Sequence, residues 1–221
     1  MSDAAVVHLV RHGEVHNPDG VLYERLPGFG LSQRGQQMAD LLGSWFANSQ
    51  LDLLLSSPLE RAQETMQPIA AQHPGLSVET DERLIEASNL MAGQPLKTKP
   101  LTFVKAANLK LYRNPFRPSW GEPYRQIADR MTSVVLDAAL RVGSDGQAVL
   151  VSHQSPIWLC RLSFEGKRLV HSPLARQCRL ASVTSFTIRD GQCIGVGYVE
   201  PAIDLYDDDS GRPFSSGGGR R

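Results

Sequence analysis

Val6–Glu14, with the sequence VVHLVRHGE, is the stretch of this 221-residue chain that decides its fold. Its first part, Val6–Val10, is rich in β-branched and apolar residues, which is typical of a buried strand. The strand ends abruptly in Arg11-His12-Gly13-Glu14, where the glycine favours a loop. We therefore predict that an arginine and a histidine lie side by side at the carboxyl end of the first strand.

The same alternation of apolar runs and amphipathic segments continues along the chain. Further strands are predicted at Leu51–Leu55, Leu76–Thr80, Ala148–Ser152, Ser182–Ile188 and Ile194–Val199. Helices are predicted to start after the N-cap residue Ser32, near Pro58, at about Tyr124 with an end at Val142, and at about Pro156. This order predicts an α/β fold with a mostly parallel central sheet and helices on both of its faces.

Polar residues follow four of the predicted strands. They are Arg11 and His12 after the first, Ser57–Arg61 after the second, Glu86 after the third and His153 after the fourth. Because ligands of parallel α/β sheets bind at the carboxyl ends of the strands, these segments are expected to converge on one site.

The composition excludes several classes of protein. The chain has 23 basic and 23 acidic residues, so no overall field favours nucleic acid or a membrane surface as a partner. Its 41% hydrophobic content is that of a globular protein, and no apolar run approaches the roughly 18 residues of a membrane helix. The three cysteines, an odd number without a C-x-x-C pair, favour free thiols in a reducing compartment, so we expect a cytoplasmic protein.

A single domain is predicted over residues 1–203, with an insertion at about 93–124 and an acidic, then Ser/Gly-rich disordered tail over 204–221. Between residues 97 and 125 there are seven basic residues and only one acidic residue, interleaved with aromatic residues. Such a segment is either a basic cap that favours an anionic substrate or a solvated surface.

Five ordered segments resemble those of the histidine phosphatase superfamily, which includes the cofactor-dependent phosphoglycerate mutases. They are Leu9–Glu14, Ser56–Thr65, Leu84–Glu86, Gly121-Glu122 and Val151–His153. The order and spacing match from about residue 5 to residue 199, which is nearly the whole chain before the tail. The resemblance implies the phosphoglycerate mutase-like fold and a phosphohydrolase or mutase activity on a small phosphorylated substrate.

The resemblance also implies a role for each matching residue. His12 is the nucleophile that forms a phosphohistidine, and Glu86 is the general acid for the leaving oxygen and then the base for water. Arg11, Arg61 and, if protonated, His153 hold the charge that spreads over the transferred phosphoryl oxygens. Asn17 and Gln154 are expected to contact the substrate, and neither a metal ion nor another cofactor is expected.

Three functions remain open from the sequence. The loop His16–Arg25 differs from the loop that follows the first motif in phosphoglycerate mutases, which favours a phosphatase over a mutase. A non-catalytic module that binds phosphorylated ligands is the third alternative. Glu82 is an alternative to Glu86 as the acid, and the sequence does not indicate the substrate or the oligomeric state.

Overall fold

A computed structural model of the chain describes residues 3–88, 92–94 and 121–206. Most of the predicted insertion, residues 95–120, and the predicted tail from residue 207 onward lie outside the described residues. The described chain continues past residue 203 in a short 3-10 turn at Ile203–Leu205. Just after that turn, the Tyr206 hydroxyl donates a hydrogen bond to the Leu180 carbonyl at 2.7 Å.

The described residues form one six-stranded sheet. Its strands are β1 (Ala5–Arg11), β2 (Leu53–Ser56), β3 (Val78–Thr80), β4 (Gln147–Ser152), β5 (Val183–Arg189) and β6 (Gln192–Val199). The order across the sheet is β3-β2-β4-β1-β5-β6. Strands β3, β2, β4 and β1 run parallel, whereas β5 and β6 add an antiparallel hairpin beside β1. The predicted α/β fold with a mostly parallel sheet is confirmed.

In the described ranges, four α-helices cover the two faces of this sheet. They are α1 (Gln33–Phe46), α2 (Glu60–Ala71), α3 (Tyr124–Val142) and α4 (Gln154–Phe164). Because strand side chains alternate between faces, Val10 packs with α1 and α2 while its neighbour Leu9 packs with α3 and α4. Among the described residues, no helix is both long enough and apolar enough to span a membrane.

The two prolines predicted near helix starts lie on opposite sides of those starts. Pro58 precedes α2, which begins at Glu60 after the extended residue Leu59. Pro156 lies inside the first turn of α4, which begins two residues earlier at Gln154. A proline is tolerated there because the first N–H groups of a helix have no partner within the helix.

Strand register places the predicted site segments next to one another. Arg11 at the end of β1 pairs with Ser152 at the end of β4, and Ser56 at the end of β2 pairs with Val151. His12, Ser57 and His153 are the next residues of these three neighbouring strands. The Ser152 hydroxyl donates to the Leu84 carbonyl at 2.7 Å, which holds the segment leading to Glu86 against the same edge.

Candidate active site

Two buried histidines form the centre of the site. His12 Nδ1 is 2.7 Å from the Gly13 carbonyl oxygen. Since a carbonyl only accepts hydrogen bonds, Nδ1 carries the proton and Nε2 keeps its lone pair. The His153 ring lies 5.1 Å from the His12 ring, centroid to centroid, and its Nε2 is 2.8 Å from the Ser57 hydroxyl. This arrangement fixes the tautomer of His12 and leaves a nitrogen able to attack.

A close backbone contact holds the loop that carries His12. The Gly13 N–H donates to the Thr65 hydroxyl at 3.1 Å, and Thr65 in turn donates to the Arg61 carbonyl at 2.7 Å. A Cβ atom at Gly13 would come within 2.6 Å of the Gly35 carbonyl oxygen in the first turn of α1. The loop therefore needs glycine here, because any side chain would push it away from α1.

Glu14 holds this loop in place through hydrogen bonds of its side chain. Its buried carboxylate accepts from the Ser32 hydroxyl at 2.6 Å and from Arg34 Nε at 2.8 Å. Ser32 also caps α1 by accepting from the Gly35 N–H, as the sequence predicts. The carboxylate thus ties the histidine loop to the start of α1.

Two buried arginines flank the histidines and form no ion pair with a carboxylate of the described residues. Arg11 Nη1 donates to the Cys178 carbonyl and Arg61 Nη2 to the Glu24 carbonyl, both at 2.7 Å. Neither arginine has an ion pair with any described residue, and the buried Nε atom of each lacks a hydrogen-bond partner there. The side chains are only 6% and 1% exposed, so two nearly buried positive charges lie here without an ion-pair partner among the described residues. Such a pair of planar donor groups is suited to hold a phosphate.

Burial and the arginines act on the histidines in the same direction. The pKa of His12 is lowered well below its usual value of 6.5, first by burial and then by the charges of Arg61 and Arg11. The pKa of His153 is also lowered well below 6.5, first by burial and then by neighbouring charges that include Arg61 and Arg11. Both rings are therefore neutral near pH 7 in the free protein, and an anion bound between the arginines would raise both pKa values.

Glu86 is half-buried beside these groups. One carboxylate oxygen accepts from the Ala87 N–H at 2.8 Å, and the carboxylate lies within electrostatic reach of Arg61. Its backbone carbonyl accepts from Arg25 Nε at 2.6 Å, and Arg25 pairs with Glu122 at 2.8 Å. These bonds tie the predicted acid to the loop after β1 and to the start of α3.

The alternative acid, Glu82, lies elsewhere. It is exposed in the 3-10 turn Glu82–Leu84, whereas Glu86 has the Arg61 charge beside it. The structure thus places Glu86 within electrostatic reach of Arg61 and leaves Glu82 exposed in the preceding turn.

Asn17 and Gln154 are engaged in local contacts. The Asn17 side chain closes its own loop, since Nδ2 donates to the Val21 carbonyl at 2.9 Å and Oδ1 accepts from the Val21 N–H at 3.1 Å. Gln154 Nε2 donates at 3.3 Å to the Cys178 carbonyl, which is also the acceptor for Arg11. Gln154 is thus beside an arginine of the site, and the role of both amides in substrate binding stays a prediction.

Comparison with known proteins agrees with this geometry. Residues 7–200 match the family description "Histidine phosphatase superfamily (branch 1)". The chain belongs to the histidine phosphatase superfamily. An uncharacterised protein of Mycobacterium tuberculosis is 47% identical over 202 residues, which are 91% of this chain and 99% of that protein.

Solved structures of other proteins share the fold. The mycobacterial glucosyl-3-phosphoglycerate phosphatase is 22% identical with a TM-score of 0.71, covering 88% of this chain and 97% of that chain. A phosphoglycerate mutase from Bacillus anthracis is 18% identical with a TM-score of 0.70, covering 92% and 96%. At such identities the likeness shows the fold alone, and it extends to a phosphatase and a mutase equally. The superfamily indicates a phosphohydrolase or mutase without choosing between them.

The sequence predicts no individual role for three residues that contact the site, although Ser57 lies in a segment expected to reach it. Ser57 contacts His153, Thr65 holds the loop of His12, and the Tyr23 ring lies 4.8 Å from the Arg61 guanidinium carbon. Ser57 and Thr65 belong to the quoted arginine segment, and Thr65 follows Arg61 by one helical turn, so this spacing offered a signal. No sequence pattern indicated Tyr23, because its position depends on the path of an irregular loop.

Proposed function

We propose that this protein is a phosphatase that hydrolyses a small phosphate monoester through a phosphohistidine on His12. The main support is the combination of a neutral, oriented His12 with two buried arginines that pair with no carboxylate in the described part of the chain. Leaving buried donors unsatisfied costs about 1–3 kcal/mol each, so a site of this kind is arranged for an anion that satisfies them. The transferred phosphoryl group is such an anion.

The first step transfers the phosphoryl group to the protein. The Nε2 lone pair of His12 attacks phosphorus while the bond from phosphorus to the ester oxygen breaks. Protonated Glu86 gives its proton to that leaving oxygen, so an alcohol departs. Arg11 and Arg61 hold the equatorial oxygens, and the hydrogen bond from Nδ1 to the Gly13 carbonyl stabilises the positive charge that develops on the imidazole.

The second step returns the protein to its starting state. The Glu86 carboxylate takes a proton from water, whose oxygen attacks phosphorus opposite His12. The bond from phosphorus to Nε2 breaks, its electron pair returns to the ring, and inorganic phosphate leaves. His153, whose pKa rises when an anion binds, donates a hydrogen bond to a phosphoryl oxygen in both steps.

The loop after β1 supports the choice of hydrolysis over mutase activity. A mutase must keep its phosphorylated intermediate in place until it is used again, and its loops serve that purpose. Here the loop of Asn17 closes on itself through Val21, and Arg25 is engaged with Glu86 and Glu122. The sequence of this loop also differs from that of the mutases.

The decisive experiment is a screen of the full-length protein against a panel of phosphate monoesters, with His12→Ala alongside. We expect hydrolysis that falls by at least about 10³-fold in the variant, since the nucleophile is lost. An acid-labile, alkali-stable phosphoprotein is expected when the reaction is quenched early, as a phosphohistidine requires. His16→Ala is the matched control, because His16 is an exposed histidine of the adjacent loop.

Two results would contradict this proposal. Hydrolysis that persists in His12→Ala would exclude the phosphohistidine. Transfer between the hydroxyl groups of a phosphoglycerate, faster than its hydrolysis and dependent on a bisphosphoglycerate primer, would identify a mutase instead.

A cytoplasmic location is the last part of this proposal. Its support is chemical: Cys160, Cys178 and Cys193 are all free thiols, and Cys160 and Cys178 are buried. Reduced cysteines persist in a reducing compartment.

A further inference from the structure

A third arginine, Arg176, lies on the Glu86 side of the candidate site. It precedes by two residues Cys178, whose carbonyl oxygen accepts hydrogen bonds from Arg11 and Gln154. The Arg176 side chain is partly buried and lies within electrostatic reach of both the Glu86 carboxylate and Arg11. The backbone contacts and the charges therefore place it beside the site rather than on a separate surface.

His171 fixes the orientation of this guanidinium. Its Nδ1 donates to the Leu169 carbonyl at 2.6 Å, so its Nε2 has a lone pair and accepts from Arg176 Nε at 2.9 Å. The His171 ring is itself flanked by the rings of Tyr124 and Trp158, at 5.6 and 6.1 Å between centroids. Burial lowers the pKa of His171, which keeps the ring neutral and able to accept. A neutral acceptor at Nε orients the arginine and leaves its charge intact.

Arg176 has no ion pair with any residue in the described part of the chain. Other partly buried arginines do have one: Arg130 pairs with Glu122 at 2.8 Å and Arg161 with Glu165 at 2.9 Å. The segment 95–120, which lies outside the described residues, contains no Asp or Glu in its sequence. The terminal nitrogens of Arg176 thus carry a charge that no described carboxylate compensates at contact distance.

The position of Arg176 relative to Glu86 indicates which part of a substrate it meets. In the proposed reaction, Glu86 protonates the leaving oxygen, so groups near Glu86 face the leaving group. Arg11 and Arg61, in contrast, hold the phosphoryl group that is transferred. A cation near Glu86 therefore faces the part of the substrate that departs as the alcohol.

We propose that Arg176 binds a second anionic group of the substrate, carried by the leaving group. The substrate class is then a phosphate monoester with a carboxylate or a second phosphate a few atoms from the ester oxygen, since both fit the planar donor edge of arginine. Arg176 is a specificity-determining residue and His171 its positioning residue. This inference rests on the proposed function for the identity of the leaving-group side.

Binding by the full-length His12→Gln variant tests this without turnover. Three compounds are compared by calorimetry: glycerol 3-phosphate, 3-phosphoglycerate, which has a carboxylate in place of one CH₂OH, and glycerol 1,3-bisphosphate. We expect at least one of the two doubly anionic compounds to bind about tenfold more tightly than glycerol 3-phosphate, which corresponds to one charge-assisted hydrogen bond. The preferred compound distinguishes a carboxylate from a second phosphate.

Variants then connect this preference to the arginine. Arg176→Gln should remove the preference, and Arg176→Lys should keep part of it because the charge remains without the planar fork. Arg168→Gln is the matched control: Arg168 is an exposed arginine of the same connecting segment, and its replacement should keep the full preference. Thermal unfolding of each variant shows whether the fold is retained, and Arg176→Lys serves as the test if Arg176→Gln does not fold.

The outcomes separate this inference from the proposed function. Absence of any preference in the parent, a preference unchanged in both Arg176 variants, or binding of none of the three compounds overturns the second-anion site. Hydrolysis that depends on His12 but shows no dependence on Arg176 retains the phosphatase and rejects this inference. A preference that depends on Arg176 in a protein without hydrolysis retains the anion site and rejects the phosphatase.

Discussion

Arginines in two regions of this molecule have opposite surroundings. On the surface, Arg83 pairs with Asp81 at 2.7 Å and with Asp137, and Arg141 pairs with Glu79 at 2.6 Å. At the carboxyl ends of the strands, Arg11 and Arg61 are held by backbone carbonyls, and no described carboxylate pairs with either. The same residue type serves to join elements in one region and to keep a positive charge available in the other.

The pKa values follow this difference. Hydrogen bonds to Asp81 raise the pKa of Arg83, and Glu79 raises that of Arg141. Burial lowers the pKa of Arg61, which is only 1% exposed. Holding a buried charge without a partner costs stability, so the site region is arranged for an anionic ligand at the expense of the free protein.

Replacing Arg61 by methionine is expected to have the largest effect. Arg61→Met removes a cation from the transferred phosphoryl group, and kcat/KM should fall by about 10³-fold or more. The same change replaces a buried charge, which has no ion-pair partner among the described residues, by an apolar side chain of similar length, so the free energy of unfolding should rise by about 1 kcal/mol. Phosphatase kinetics and urea unfolding measure the two effects on one preparation.

The matched control is Arg83→Met on the surface. It should leave kcat/KM within about twofold and lower the free energy of unfolding by up to about 1 kcal/mol, because only partly exposed ion pairs are lost. A stability loss in Arg61→Met as large as that in Arg83→Met would show that the two regions do not differ as described.

Glu86→Gln should have the second largest effect, and one that depends on the leaving group. Loss of a general acid lowers the rate by roughly 10²- to 10⁴-fold where the leaving alkoxide is basic. For p-nitrophenyl phosphate, whose leaving group needs little protonation, the loss should be smaller by about tenfold or more. A series of phenyl and alkyl phosphates measures this difference as the slope of log kcat/KM against leaving-group pKa.

Glu82→Gln is the companion variant, because Glu82 is the nearby exposed carboxylate that the sequence also offered. It should match the parent protein across the whole series. A steep leaving-group dependence that appears in Glu82→Gln and is absent in Glu86→Gln would reverse the assignment.

The fold and the centre of the site were predictable because local patterns specify them. Val6–Val10 has the signature of a buried strand, and the segments after the parallel strands meet by the geometry of such a sheet. The prediction placed Arg11, His12, Arg61 and His153 together, and the structure brings these side chains together. The predicted and observed strand bounds differ by at most two residues, which is the usual uncertainty in assigning the ends of strands.

The rest of the site depends on contacts between segments far apart in sequence. The sequence indicates no functional role for His171 or Arg176, since neither lies in a motif or at a strand end. Their relation to Glu86 appears only when the segment after α4 folds back over the sheet edge. The residue pattern within one segment does not predict where an irregular connecting segment comes to lie against the rest of the fold.

The third and smallest predicted effect is on the pH dependence of the free energy of unfolding, which tests the contrast between the two arginine regions. In the unfolded chain a histidine has a pKa near 6.5, whereas burial and the arginine charges keep the pKa of His12 and His153 well below that value in the fold. Below about pH 6.5 the unfolded chain therefore binds more protons than the folded one. The free energy of unfolding should decrease as pH falls from 7 to 5, by up to about 1.4 kcal/mol per pH unit for each such histidine.

The Arg61→Met variant sharpens this measurement, because the Arg61 charge lowers the pKa of both histidines more than any other charge does. Without it, both pKa values rise towards 6.5, the difference in bound protons narrows, and stability should depend less steeply on pH. Urea unfolding at several pH values between 7 and 5 gives the two slopes, and Arg83→Met should keep the parent slope since its charge lies outside the site. Equal slopes in Arg61→Met and the parent would mean that the Arg61 charge has little effect on these pKa values. Arg61 would then act on a bound anion but not on the histidines beside it.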